Sequence, residues 1–163
     1  MAEVISGSQS AASAEQWSWR KNKWRSRKPC IWFVDDCAED HTLVERAVDG
    51  LCDVRYFQSG AEFLRAVTLL ADDRATSEHA GPDLVLLDYR MPNLPGVETL
   101  LKLRSLPAAG RTPVIIFSSS SAQDDISASY TAGCNSFVTK PSGWREYRHT
   151  IRSILRYWLD VSA

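Results

Sequence analysis

From position 30 onward, short apolar runs alternate with amphipathic stretches. Cys30-Ile-Trp-Phe-Val34 has no polar interruption, the pattern of a strand covered on both faces. Leu43, Val44, Ala47, Val48 and Leu51 then recur at helical spacing, with Gly50 closing the segment. A second strand is predicted over 52–57. Ser59 at an N-cap position and Glu62 three residues later then form a capping box ahead of Phe63, Leu64, Val67, Leu70 and Ala71. A polar loop leads to a third strand over 83–87, followed by Asp88. Pro92, Pro95 and Gly96 punctuate the next loop before Val97, Leu100, Leu101 and Leu103 resume a helix. The fourth strand is expected over 114–117, a short helix over 125–132, and the fifth strand over 136–139, stopped by Lys140-Pro141. Trp144, Tyr147, Ile151, Ile154, Leu155 and Trp158 make the longest helical stripe.

Strands alternating with helices imply parallel pairing through right-handed crossovers, with helices on both sheet faces. The fold class is therefore α/β: a doubly wound five-stranded parallel sheet, (βα)5, of strand order 2-1-3-4-5. The chain has 163 residues, 44% hydrophobic and 24% charged, which suits one globular domain, placed at 29–160. The net charge of −1 hides an asymmetry. Residues 1–28 hold six basic against two acidic side chains, and the rest thirteen against eighteen. A basic tail, expected to be disordered and carrying Trp17, Trp19 and Trp24, thus precedes an acidic body. Cys30, Cys37, Cys52 and Cys134 show no metal-binding spacing and read as reduced thiols. No apolar run approaches the ~18 residues of a spanning helix, and no secretory signal is visible. The expected compartment is the cytoplasm.

In doubly wound sheets ligands bind outside the carboxyl ends of the strands. The residues there are Asp35 and Asp36 after the first strand, Asp88 after the third, Ser118 and Ser119 after the fourth, and Lys140 after the fifth. The second strand offers only Gln58 and Ser59. Converging carboxylates raise one another's pKa unless a cation joins them. Oxygen-only ligands with open positions suit Mg²⁺. Such a metal fits phosphoryl transfer, where positioning and charge neutralisation do most of the catalysis. Lys140 would supply a point charge for a phosphoryl oxygen, Ser118 a hydroxyl donor, and Asp88 a carboxylate nucleophile that forms an acyl phosphate. Taken singly, each is an ordinary turn or cap residue. Four strand ends carrying complementary chemistry in one order are not.

These residues lie in Val34-Asp35-Asp36, Leu86-Leu87-Asp88-Tyr-Arg-Met91-Pro92-Asn93-Leu-Pro-Gly96, Val114-Ile-Ile-Phe-Ser118-Ser119 and Phe137-Val-Thr-Lys140-Pro141. On them, the chain from Pro29 to about Leu159 resembles the receiver domain of two-component response regulators, with its flavodoxin-like sheet. The final helix with Tyr157-Trp158-Leu159 resembles the stand-alone, chemotaxis-regulator-like receivers that partner phytochrome-type kinases. The resemblance implies that Asp88 is the phosphoacceptor for a phosphohistidine on a sensor histidine kinase. It implies Mg²⁺ held directly by Asp36 and Asp88, through water by Asp35, and by the backbone carbonyl of Arg90. Lys140 would bind the phosphoryl group, the Lys140-Pro141 bond would be cis, and Ser118 with Phe137 would form the switch. Four residues at three places depart from the family's usual pattern: Arg90 two residues after the acceptor, Leu94-Pro95 before Gly96, and Phe137 in place of Tyr.

Only Val161-Ser-Ala follows the last helix. The expectation is therefore a single-domain regulator without a DNA-binding domain, catalysing only its own phosphorylation and dephosphorylation. It would signal by phosphorylation-dependent docking on an unknown target or by phosphorelay, with the last helix as the element for any homodimer. Two other classes fit less well. A haloacid dehalogenase-type phosphatase needs a second Asp where Arg90 stands. A flavodoxin-type flavin carrier needs a phosphate loop where the acidic stretch from Asp35 to Asp40 stands.

Overall fold

The computed structural model describes residues 27–72, 81–107 and 109–161; the expected disorder of the tail falls on 1–26, outside them. Strands β1 (Cys30–Val34), β2 (Asp53–Phe57), β3 (Leu84–Leu87), β4 (Val114–Ser118) and β5 (Ser136–Thr139) alternate with helices α1 (Ala38–Val48), α2 (Gly60–Asp72), α3 (Gly96–Ser105), α4 (Gln123–Thr131) and α5 (Trp144–Arg156). The sheet is parallel throughout, in the order β2-β1-β3-β4-β5. The last helix ends in a wider π-helical turn, Tyr157–Val161. Among the described residues no helix is long and apolar enough to cross a membrane.

The uninterrupted apolar runs have a direct physical reason, since each central strand feeds two cores. Ile31 and Phe33 of β1, Leu84 and Leu86 of β3, and Ile115 and Phe117 of β4 pack with Val44 and Ala47 of α1 and with Tyr147, Ile151 and Leu155 of α5. The alternate residues Trp32, Val34, Val85, Leu87, Val114 and Ile116 pack with Phe63 and Val67 of α2 and Leu100 and Leu103 of α3. The edge strand β2 is buried fully only at Phe57. Burying an apolar side chain this size stabilises by about 1.5–3 kcal/mol, so the two layers together hold the strand ends in register.

Several boundaries differ from the expectation. Asp83 lies before β3, because its carboxylate accepts the Cys30 amide at 2.8 Å and pairs with Arg27 at 3.1 Å. In the capping box, Ser59 Oγ accepts the Glu62 amide, but the Glu62 carboxylate reaches Gln58 N at 2.9 Å rather than Ser59 N. Trp144 stands outside the core stripe, exposed, with the Arg46 guanidinium 4.4 Å from its ring centre. One expectation is overturned: no cis peptide bond occurs among the described residues, so Lys140-Pro141 is trans. Trans is the lower-energy isomer of an X–Pro bond by about 0.5–1 kcal/mol. Lys140 already meets its partners in that form.

Candidate functional site: a carboxylate cluster at the strand ends

Two ladder bonds continue past the strands and set the site. Asp35 N donates to Phe57 O at 2.9 Å, and Asp88 N donates to Val34 O at 2.8 Å. They hold the two aspartates side by side, where β1 and β3 end between α-helices on opposite faces. The ligand oxygens of Asp35, Asp36 and Asp88 all lie within 4.8 Å of one another. Asp35 and Asp88 are buried, and Asp36 faces solvent.

Local turns then fix the carboxylates. Asp35 Oδ1 accepts the Cys37 amide at 2.9 Å, and Asp88 Oδ2 accepts the Arg90 amide at 2.8 Å. His41 Nε2 lies 2.7 Å from the Asp35 carbonyl, which can only accept, so this nitrogen carries the proton. Gly96 closes the far side. A Cβ there would stand 2.1 Å from the Asp88 carbonyl oxygen, so the approach of α3 needs glycine.

Lys140 enters from the end of β5. Its backbone N donates to Ser118 O at 2.7 Å, and its Nζ lies 2.5 Å from Asp35, 3.0 Å from Asp88 and 3.0 Å from Asp40. Burial pushes the Asp35 and Asp88 carboxyls above the ordinary range, against the pull of Lys140. Burial also lowers the Lys140 ammonium, but Asp35 and Asp88 outweigh it and hold the pKa above its ordinary value. Ser118 is fully buried, and its Oγ accepts the Ser120 amide at 3.2 Å. Phe137 is half-buried, with its ring centre 6.4 Å from that of Tyr89.

The structure thus brings Asp35, Asp36, Asp88 and Lys140 to one point, with Ser118 at the neighbouring strand end and Phe137 further along β5. Sequence reasoning missed two groups. Asp40 lies in an acidic stretch and Tyr147 on an apolar stripe, yet the Tyr147 hydroxyl donates to Asp40 Oδ1 at 3.2 Å. Asp125 of α4 binds Arg90 at 3.1 Å and accepts the Ser120 hydroxyl. Hydrogen bonds from Ser120 and Arg90 hold the Asp125 carboxyl below its usual range. Asp40 alone had a readable signal, standing four residues after Asp36 in the same acidic stretch.

An oxygen-rich cluster with two of its three carboxylates buried and one cation beside it carries excess negative charge, and a hard divalent cation fits that donor set. The family model of the response regulator receiver domain matches residues 31–152. The probable methanogenesis regulatory protein FilR2 of Methanothrix harundinacea (strain 6Ac) is 30% identical over 132 residues, 79% of this chain and 83% of that protein. The crystal structure of the phosphorylated cyanobacterial phytochrome response regulator RcpA matches with a TM-score of 0.71 at 28% identity, covering 84% of this chain and 97% of that one. The Mn²⁺-bound form of response regulator Rcp1 matches with a TM-score of 0.68 at 26% identity, covering 83% of this chain and 96% of that one; a protein of that name comes from Synechocystis sp..

Proposed function

Because the chain belongs to the response regulator receiver domain family, we propose that Asp88 accepts a phosphoryl group from a phosphohistidine of a sensor kinase in a Mg²⁺-dependent reaction. One observation carries the reading: three carboxylates meet within 4.8 Å, and Lys140 stands 3.0 Å from Asp88. An Asp88 carboxylate oxygen forms the new O–P bond as the N–P bond of the donor breaks, and the imidazole nitrogen takes the electron pair. Asp35, Asp36, Asp88 and the Arg90 carbonyl would hold the metal, which neutralises charge on the transferring oxygens. Lys140 offsets the charge gained at Asp88. Ser118 and Phe137 form the switch: the hydroxyl turns toward the acyl phosphate, and the ring, without a hydroxyl of its own, responds by packing alone.

The receiver domain acts in the cytoplasm, in keeping with its four free thiols. Its product is a docking signal or a relayed phosphoryl group, not turnover of an external substrate. The similarity to RcpA, a phytochrome response regulator, supports a phytochrome-type kinase as donor. Incubation with acetyl phosphate and Mg²⁺ should shift the protein on a phosphate-affinity gel. Asp88→Asn and chelation of the metal should each abolish the shift. Undiminished labelling of Asp88→Asn would sink the assignment.

A further inference from the structure

The three carboxylates that hold Lys140 are not equivalent. Asp35 and Asp88 belong to the trio whose oxygens converge; Asp40, 3.0 Å from the same ammonium, does not. Asp40 sits in the first turn of α1, and its second oxygen accepts the Tyr147 hydroxyl of α5 at 3.2 Å. The Tyr147 ring is buried against Phe117, with centroids 5.4 Å apart, so the hydroxyl is a fixed donor. A dication entering the trio must share Asp35 and Asp88 with the ammonium, and the two cations repel at that range. Asp40 is the one of the three that lies outside the metal trio.

We propose that Asp40, fixed by the Tyr147 hydroxyl, is a positioning residue for Lys140. It holds the ammonium within reach of Asp88 while a dication occupies the trio of Asp35, Asp36 and Asp88. The inference rests on the functional reading above. It also makes the lysine's position a property of the contact between α1 and α5, because each helix contributes one member of the clamp.

The test is a double-mutant cycle read as Mg²⁺ affinity by calorimetry on the full chain, with thermal melts to check folding. Without Asp40 the ammonium settles wholly on Asp35 and Asp88, where it competes with the metal. Asp40→Asn should therefore weaken Mg²⁺ binding about three- to tenfold. In the Lys140→Met background the same change should alter it less than about twofold. Tyr147→Phe keeps the ring and every charge, and should weaken Mg²⁺ binding about two- to threefold only when Lys140 is present. Equal losses in both backgrounds would mean a plain charge effect and overturn the positioning role, as would no loss in either. A parent chain that binds no Mg²⁺ would instead overturn the functional reading.

Discussion

Asp88 is flanked by two ion-pair networks of opposite character. On one side Lys140, its side chain 10% exposed, is shared among Asp35, Asp40 and Asp88. On the other, Arg90, 67% exposed, reaches across to Asp125. Both join loops that the chain keeps far apart, yet their surroundings give them different weights. The Lys140 network lies out of water, so losing one member strands the others at the cost of their desolvation. The Arg90 pair stays in solvent, where Coulomb attraction is screened and long side chains give up entropy to meet. The lysine flank is therefore part of the site's construction, and the arginine flank is an adjustable rim.

The sharpest way to break this contrast is to remove each cation without changing its length much. Lys140→Met leaves three carboxylates without their common partner and should cost about 3 kcal/mol of stability in metal-free buffer. Millimolar Mg²⁺ should restore much of that loss, because the dication replaces the missing charge. Denaturant titrations with and without Mg²⁺ measure both. Equal stability of Lys140→Met and the parent in chelator would refute the buried character of this flank.

Arg90→Met should shift the melting temperature far less, and the shift should vanish when salt is raised from low ionic strength to about 0.5 M, where the Debye length is a few ångström. An Arg90→Met defect that persists in high salt would mean that the rim is as structural as the lysine. The smallest effect is expected from deleting residues 1–26. A chain that starts at Arg27 keeps the pairs of Arg27 with Asp83 at 3.1 Å and Lys28 with Asp53 at 3.0 Å. Its melting curve and Mg²⁺-dependent labelling should overlay those of the full chain. A substantial loss of either would show that the tail contributes to the folded domain.

Reading the site from the sequence worked where chemistry follows a strand end. Asp35, Asp36, Asp88 and Lys140 each sit one or two residues after an apolar run, and in a parallel sheet all such ends share one edge. It stopped short where a side chain acts across the fold. Tyr147 falls on the apolar stripe of α5, and its ring is buried as that stripe implies. Nothing local shows that its hydroxyl meets Asp40, 107 positions earlier. Trp144 fell on the same stripe but opens the first turn of α5 and stands exposed, with Arg46 from α1 over its ring. For Pro141 the intrinsic cis–trans preference is too small to decide the isomer from the dipeptide alone.

The amino-acid sequence by itself determined the order of elements and the residues that end each strand. Those features depend on local periodicity: unbroken apolar runs form where both faces are covered, and amphipathic stripes form where one is. Only the tertiary structure decided the partners. Packing α1 beside α5 on one face of the sheet turned Asp40 and Tyr147 into a clamp on Lys140. The approach of α4 to the loop after β3 gave Arg90 to Asp125. Such contacts form between residues brought together by burial of apolar surface elsewhere, so their geometry is a consequence of how the layers stack and is written in no single stretch of the chain.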